Sequence, residues 1–431
     1  MNYFNINNPN EKVSIKSAVL KSISSQPGLF MPESIPKLPK TFFENLHHLS
    51  LIETAQVVSH LMFKDDIPKN ELEKIITNAL DFSIPLKKLD ENLYVQELFH
   101  GPTLAFKDVG ARFMAGLFEF FKKDENQETT ILVATSGDTG SAVANAFYNK
   151  KGIRVVILYP SGKVSDIQEK QLTTMGSNIT SLEIKGNFDD CQKMVKQAFA
   201  DKELNSQLQL TSANSINFAR LFPQSFYYFH AISQLGKHHK PAIFSVPSGN
   251  FGNLTAGLIA KKMGLPVHKF IASNNRNCPV VDYLETERFS PKETYYTISN
   301  AMDVGNPSNF PRMLYLYNQQ FSELKKDLTG YWFSDDQTRL AMRELETNYH
   351  YQADPHGAIA FLGLKKNGLE NNYSNIFLET AHPCKFSEVV ENVTHKKVVL
   401  PEEMKTILGL EKKSIQLSNQ YSEFKNFVMN L

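Results

Sequence analysis

Four short segments carry residue types that could do chemistry together. The most specific is Phe99-His100-Gly101-Pro102-Thr103-Leu104-Ala105-Phe106-Lys107-Asp108, in which a lysine follows a Gly-Pro turn and opens an apolar helical stretch, Val109 to Phe121. A lysine partly withdrawn from water there has a lowered pKa, and its neutral amine can form a Schiff base. Taken alone, a Lys beside an Asp at a helix start is an ordinary solvated pair. The other three segments are turns between a strand and a helix: ATSGDTGS from Ala134 to Ser141, TSANSIN from Thr211 to Asn217, and VPSGNFGNLT from Val246 to Thr255. In an open parallel sheet such turns lie at the carboxyl ends of strands, where ligands bind. Each feeds a helix N-terminus, whose free N–H groups and positive dipole end suit an anion, and glycine lets the backbone approach a phosphate closely. Neither glycine turn reads GxGxxG or GxxxxGK[ST], so the dinucleotide fingerprint and the P-loop are both absent. A candidate Schiff-base lysine together with a phosphate-cradling turn points to pyridoxal phosphate.

The elements around these turns must position them. Short apolar runs alternate with helical patterns from Asn92 onward, the signature of βαβ units and parallel sheet. Strands are expected at 130–134, 154–159, 179–185, 208–211, 242–246, 267–272 and 376–379. Helices are expected at 139–150, 189–200, 217–235, 252–263 and 357–366. The aromatic cluster Phe226-Tyr227-Tyr228-Phe229 reads as helix core. Before Asn92 the pattern is helical over 46–63 and 71–80, and Pro27, Pro32, Pro36 and Pro39 break the preceding stretch into loop. The expected division is a helical N-terminal unit (1–92), a smaller α/β lobe with the lysine and substrate turns (93–235), and a larger α/β lobe with the cofactor phosphate turn (236–431).

Composition excludes several classes. Lys plus Arg is 46 and Asp plus Glu is 45, a net charge of +1, so there is no basic excess to favour nucleic acid. Only eight of the 46 basic residues are arginines, which makes Arg220 inside a polar run informative. Three scattered cysteines, Cys191, Cys278 and Cys384, form no CxxC pair and fit a reducing, cytoplasmic compartment. No signal-peptide pattern opens the chain, no apolar run approaches a bilayer-spanning length, and no His/Cys/Glu spacing reads as a metal site. His47-His48 and His238-His239 read as surface, and Cys384 as a small buried residue.

Five runs then occur in a telling order: HGPTLAFKD, ATSGDTGSA, SANSINFARLFPQ, SGNFGNLTAG and LETAHPCKF. From about Gly28 to about Phe386 the chain resembles the threonine synthases, most closely their longer bacterial and fungal form. The resemblance implies a tryptophan-synthase-β-like (fold-type II) α/β architecture of two open, mostly parallel-sheet lobes with a helical N-terminal region. It implies pyridoxal 5′-phosphate as cofactor, held by Lys107 as a Schiff base, with Gly249, Asn250, Phe251, Gly252 and Asn253 around its phosphate and Thr380 at its ring nitrogen. It implies that Ser136, Gly137, Asp138 and Thr139 hold the substrate's carboxylate end, and that Asn217 and Arg220 help bind the substrate phosphate. The implied reaction turns O-phosphohomoserine and water into threonine and phosphate, in a monomer or homodimer without nucleic-acid or membrane partners. A related lyase or dehydratase that eliminates without hydration is the alternative. The last ~45 residues contain no matching motif.

Overall fold

The computed structural model describes residues 1–22 and 28–431, so Pro27 lies outside the described residues. In chain order the strands are β1 (Tyr3–Asn5), β2 (Asn8–Val13), β3 (Phe30–Pro32), β4 (Leu86–Lys88), β5 (Leu93–Glu97), β6 (Thr129–Ala134), β7 (Ile153–Pro160), β8 (Ile179–Lys185), β9 (Gln209–Ser212), β10 (Ala242–Pro247), β11 (Val267–Asn274), β12 (Leu328–Trp332), β13 (Ser374–Glu379) and β14 (Ile415–Ser418). They form three sheets. A five-stranded sheet has the order β14-β8-β7-β6-β9 and is parallel throughout. A six-stranded sheet has the order β12-β11-β10-β13-β5-β4 and is parallel except at the β4–β5 edge. The third is a small antiparallel sheet, β2-β1-β3, at the N-terminus.

The central strands show why the sheets are parallel. Every residue of β6 (TTILVA), β10 (AIFSVP) and β13 (SNIFLE) is buried, so both faces are covered and each strand has an unbroken apolar stretch rather than an alternating pattern. The helices that cover them begin at the carboxyl ends of the strands. Lys107–Lys122 buries a nearly complete apolar face, including Val109, Phe113, Met114, Leu117 and Phe118. The cluster Phe226-Tyr227-Tyr228-Phe229 is fully buried, and Cys384 is a buried free thiol.

Four features differ from the sequence expectation. The helical stretch expected over 46–63 is a 3-10 turn, Leu46–His48, followed by a separate helix, Leu51–Phe63, because Ser50 starts a new helix with a capping box to Glu53. The N-terminal unit contains the antiparallel sheet as well as helices, because its strands are short and β2 is largely polar (NPNEKV). The stretch expected as one helix over 217–235 is three pieces: Phe218–Leu221, a 3-10 turn Phe222–Gln224 and Ser225–Leu235. Pro223 lacks the N–H that a continuous α-helix requires. The lobe boundaries also shift. β5 joins the larger sheet beside β13, and β14 crosses back to extend the smaller sheet beside β8.

Candidate active site

A cleft of about 890 Å³ opens between the carboxyl ends of the two large sheets. Lys107, Ser136, Asp138, Thr139, Arg220, Gly249, Asn250, Phe251, Gly252, Asn253 and Thr380 all line it. They arrive from separate elements: the turns after β6, β9, β10 and β13, and the start of Lys107–Lys122. Gly137 and Asn217 are not among the lining residues.

Lys107 is the first residue of its helix. The Gly-Pro turn before it is closed by Asp108, whose Oδ1 accepts from Thr103 Oγ1 at 2.6 Å and Oδ2 from Thr103 N at 2.9 Å. A Cβ on Gly101 would lie 2.5 Å from Asp108 Oδ2, so this turn needs glycine. Lys107 Nζ lies 3.8 Å from Asp138 Oδ2 and 4.6 Å from the centre of the Phe106 ring. Burial pulls the amine below the usual lysine range, Asp138 and Asp354 oppose that, and Lys385 and Arg220 add to it. The positive end of the helix also disfavours the ammonium. An amine held this way is a nucleophile closer to neutral pH than a solvated lysine.

The turn after β10 is built from backbone. Helix Gly252–Lys262 has no side-chain cap, so the N–H groups of its first turn lack intrahelical partners where it meets the cleft. Phe251, at its N-cap, adopts the left-handed conformation (φ 60°), uncommon for a non-glycine residue, and its side chain is buried. A Cβ on Gly249 would lie 2.6 Å from Met302 Cα, so the turn packs directly against another backbone segment. Asn253 Oδ1 accepts from the hydroxyls of Tyr227 and Tyr228, both at 2.6 Å. Those bonds fix the amide and leave its buried Nδ2 donor without a protein acceptor. Asn250 ties the lobes together: Nδ2 donates to Ser215 Oγ at 2.6 Å, and Oδ1 accepts from Ser308 N at 2.6 Å. The uncapped helix end and the spare Asn253 donor fit a bound phosphate.

Thr380 follows β13, and its carbonyl accepts from Phe106 N at 2.9 Å, which sets the lysine turn against the strand end. Arg220 is almost wholly buried; Nη1 donates to Ala213 O at 2.7 Å and Nε has no protein acceptor. Burial lowers its pKa to about 10, still cationic at neutral pH. Asn217 is placed differently. It caps Phe218–Leu221 by accepting from Ala219 N at 2.9 Å, and Nδ2 donates to Val19 O at 2.8 Å and Ser22 Oγ at 2.6 Å. The structure therefore uses Asn217 to lock the N-terminal region behind the turn after β9. Arg312 does the same from the other side, donating to Phe30 O, Ser215 O and Ile216 O.

Several groups around the site were given no role in it by the sequence. Lys385 lies within the run LETAHPCKF, and its buried Nζ donates to Asp138 Oδ1 at 2.8 Å. Gln168 Nε2 donates to the same oxygen at 2.9 Å. Burial alone would raise the Asp138 carboxyl, but Lys385 and Lys107, with the bonds from Lys385 and Gln168, hold it well below the usual carboxylate range. His356 lines the cleft with Nδ1 on Asp354 Oδ2 at 2.6 Å and Nε2 buried without a partner. Among the described residues, no group of three or more His, Cys, Asp or Glu side chains is placed to hold a metal ion, and no helix is long and apolar enough to cross a membrane.

The chain resembles known proteins over its whole length. Residues 76–378 match the family model "Pyridoxal-phosphate dependent enzyme". Residues 2–80 match "Threonine synthase N terminus", and residues 357–428 match "Threonine synthase, C-terminal". The threonine synthase of Haemophilus influenzae is 44% identical over 430 residues, covering all of both chains. The crystal structure of the Escherichia coli threonine synthase superposes with a TM-score of 0.93 at 42% identity, covering all of both chains. The crystal structure of a PLP-bound threonine synthase from Brucella melitensis superposes with a TM-score of 0.94 at 31% identity, covering 100% of this chain and 99% of that one.

Proposed function

The chain belongs to the threonine synthase family of pyridoxal-phosphate-dependent enzymes, and we propose that its cleft converts O-phospho-L-homoserine and water to L-threonine and phosphate with the residues in the roles below. The supporting observation is convergence: an amine of depressed basicity, an uncapped helix N-terminus and a buried arginine face one cavity. Lys107 Nζ would hold the cofactor covalently. The 249–253 turn would hold its phosphate through backbone N–H groups and Asn253 Nδ2, and the Thr380 hydroxyl would serve its ring nitrogen. When bound, the cofactor supplies an electron sink for charge developing on the substrate's carbon atoms.

The chain's own groups do the rest. Ser136 and Thr139, with the Asp138 and Thr139 N–H groups that open helix Asp138–Phe147, orient the substrate carboxylate; the N–H groups of Gly137 and Gly140 are already taken by Thr135 Oγ1, both at 2.9 Å. Arg220 meets the substrate phosphate with a charge already desolvated, so little solvent must be displaced when the anion arrives. Lys107 Nζ, once released, moves protons at the α and β carbons. The phosphate departs from the γ carbon, and a proton returned there completes the methyl group. Water adds its hydroxyl at the β carbon while its other proton leaves with the phosphate, and the α carbon regains its proton. Enclosure by the two lobes keeps water from the reacting carbons before that addition. This reading places the enzyme in the cytoplasm, acting on a small molecule.

The test is incubation of the cofactor-loaded enzyme with O-phosphohomoserine, with threonine, 2-oxobutyrate and phosphate assayed together. Equal threonine and phosphate are expected. Phosphate accompanied by 2-oxobutyrate instead of threonine would replace this reading with that of a lyase.

A further inference from the structure

Lys385 is a cation that the roles above leave unassigned. It sits on the 3-10 turn Pro383–Phe386, just past Thr380, and its side chain is wholly buried. Desolvating an ammonium is costly unless its charge is matched and its donors are satisfied. Nζ donates to Asp138 Oδ1 and to Thr103 O, both at 2.8 Å. Gln168 Nε2 completes the set on Oδ1 at 2.9 Å. The other oxygen, Oδ2, lies 3.8 Å from Lys107 Nζ, beyond hydrogen-bonding distance. One carboxylate thus stands between two lysines, and its short bond goes to the one that does no covalent chemistry.

We propose that Lys385 is the standing counter-ion of Asp138 and a positioning residue for the reaction, keeping that carboxylate from capturing the Lys107 amine as an ion pair. The inference rests on the reading of Lys107 as the Schiff-base lysine. Its physical basis is the balance of charge around Nζ. The groups that act on it are Asp138, Lys385, Arg220 and Asp354, on four different segments, together with its own helix N-terminus. With Lys385 present, Asp138 and Lys385 form a neutral pair beside Nζ, and burial keeps the amine weakly basic. Without Lys385, Asp138 becomes an uncompensated buried anion whose nearest cation is Lys107. The amine would then be held as ammonium, which cannot attack a carbonyl. The same bond from Lys385 to Thr103 O ties the Gly-Pro turn to the strand end that carries Thr380, so the counter-ion and the lysine turn move as one unit.

The test reads the basicity of Lys107 in the full-length chain with cofactor removed. Competitive acetylation across pH, with the Lys107 peptide quantified by mass spectrometry, gives its titration. In Lys385→Met the midpoint should rise by about one unit or more, a roughly tenfold loss of neutral amine at a fixed pH below it. The rate of covalent pyridoxal-phosphate capture should fall in parallel. The double variant Asp138→Asn/Lys385→Met removes the neutral pair together, and Lys107 should return to within about half a unit of the wild type. A Lys385→Met midpoint at or below the wild-type value overturns the proposal. Should Lys385→Met not fold, the double variant decides: a Lys107 midpoint more than about one unit below wild type would make Asp138 the partner of Lys107 instead. Borohydride trapping of cofactor on wild-type protein is the separate control. Label on a peptide without Lys107 would sink the Schiff-base reading and leave the Asp138–Lys385 pairing to stand on its own titration.

Discussion

Two strand-to-helix turns face each other across the cleft, and they solve the same problem with different materials. The turn after β10 presents Gly249 to Asn253, and its anion-binding capacity comes from the uncapped N-terminus of Gly252–Lys262, with no charged side chain in the turn. The turn after β6 presents Ser136 to Thr139, and its central residue is a buried carboxylate flanked by Lys385, Lys107 and Gln168. Partial charges on a helix end are fixed by the backbone and need no counter-ion, so the first turn can hold a permanent phosphate whatever the protonation of its neighbours. Formal charges in a dry site must be matched one by one, and the match sets the basicity of whatever stands beside them. On the proposed roles, the static ligand would be held by backbone, and the group that must change protonation during turnover would sit against side chains.

If that division holds, the two turns should break in different ways. The largest effect is expected at Gly249→Ala. The new Cβ meets Met302 backbone at 2.6 Å, an obstacle that no rotamer change removes. Overpacking of this kind costs about 1–3 kcal/mol, so cofactor should bind roughly 10- to 100-fold more weakly, while Lys107 keeps its acetylation midpoint. A shift in the Lys107 midpoint without loss of cofactor affinity would erase the distinction between the turns. Arg220→Gln comes next and concerns the substrate rather than the cofactor. Loss of a desolvated charge-assisted contact should raise KM for O-phosphohomoserine about tenfold or more, with cofactor affinity nearly unchanged in an equilibrium titration. Equal losses in both would move Arg220 out of the substrate site.

The contrast between the turns also explains what the sequence could reveal. The backbone-built turn is legible because its causes are contiguous: a buried strand, then glycine, asparagine and a helix within ten residues. The parallel sheets are legible for the same reason, since β6, β10 and β13 each hold a short apolar stretch and are buried on both faces. The charge-matched turn is only half legible. Asp138 stands in a recognisable run, but its partners Lys385 and Gln168 come from distant segments that nothing local connects to it. Asn217 shows the converse. It stands in a recognisable run beside Arg220, yet its amide is spent on Val19, Ser22 and Ala219, because the N-terminal region packs behind the turn. Likewise β14 carries no motif, and only the fold places it at the edge of the smaller sheet.

The smallest predicted effect tests whether the backbone-built side is as indifferent to pH as its materials suggest. Met302 stands behind Gly249, and the next residue, Asp303, anchors that segment. Asp303 Oδ1 accepts from Asn275 Nδ2 at 2.8 Å, Asn277 Nδ2 at 3.1 Å and Thr297 Oγ1 at 2.7 Å, and Oδ2 accepts from Thr297 N at 3.0 Å. Burial raises the Asp303 carboxyl to about 6, and the bonds from Thr297 and Asn275 only partly offset it. The native chain therefore takes up a proton that the unfolded chain, near the ordinary carboxylate value of about 4, does not yet bind. That contribution to stability is complete below about pH 4 and is lost as pH rises through about 6. Between pH 7 and pH 5 the wild type should gain about 1 kcal/mol that Asp303→Asn does not, visible as a difference in urea unfolding free energy and about 1 °C in Tm. Asn keeps one acceptor for Asn275, Asn277 and Thr297 Oγ1, while its amide would face Thr297 N, so a uniform loss of stability is expected on top of the pH effect. Parallel pH profiles for the two proteins would mean that Asp303 stays ionised. The segment behind the phosphate turn would then be as insensitive to pH as the turn itself.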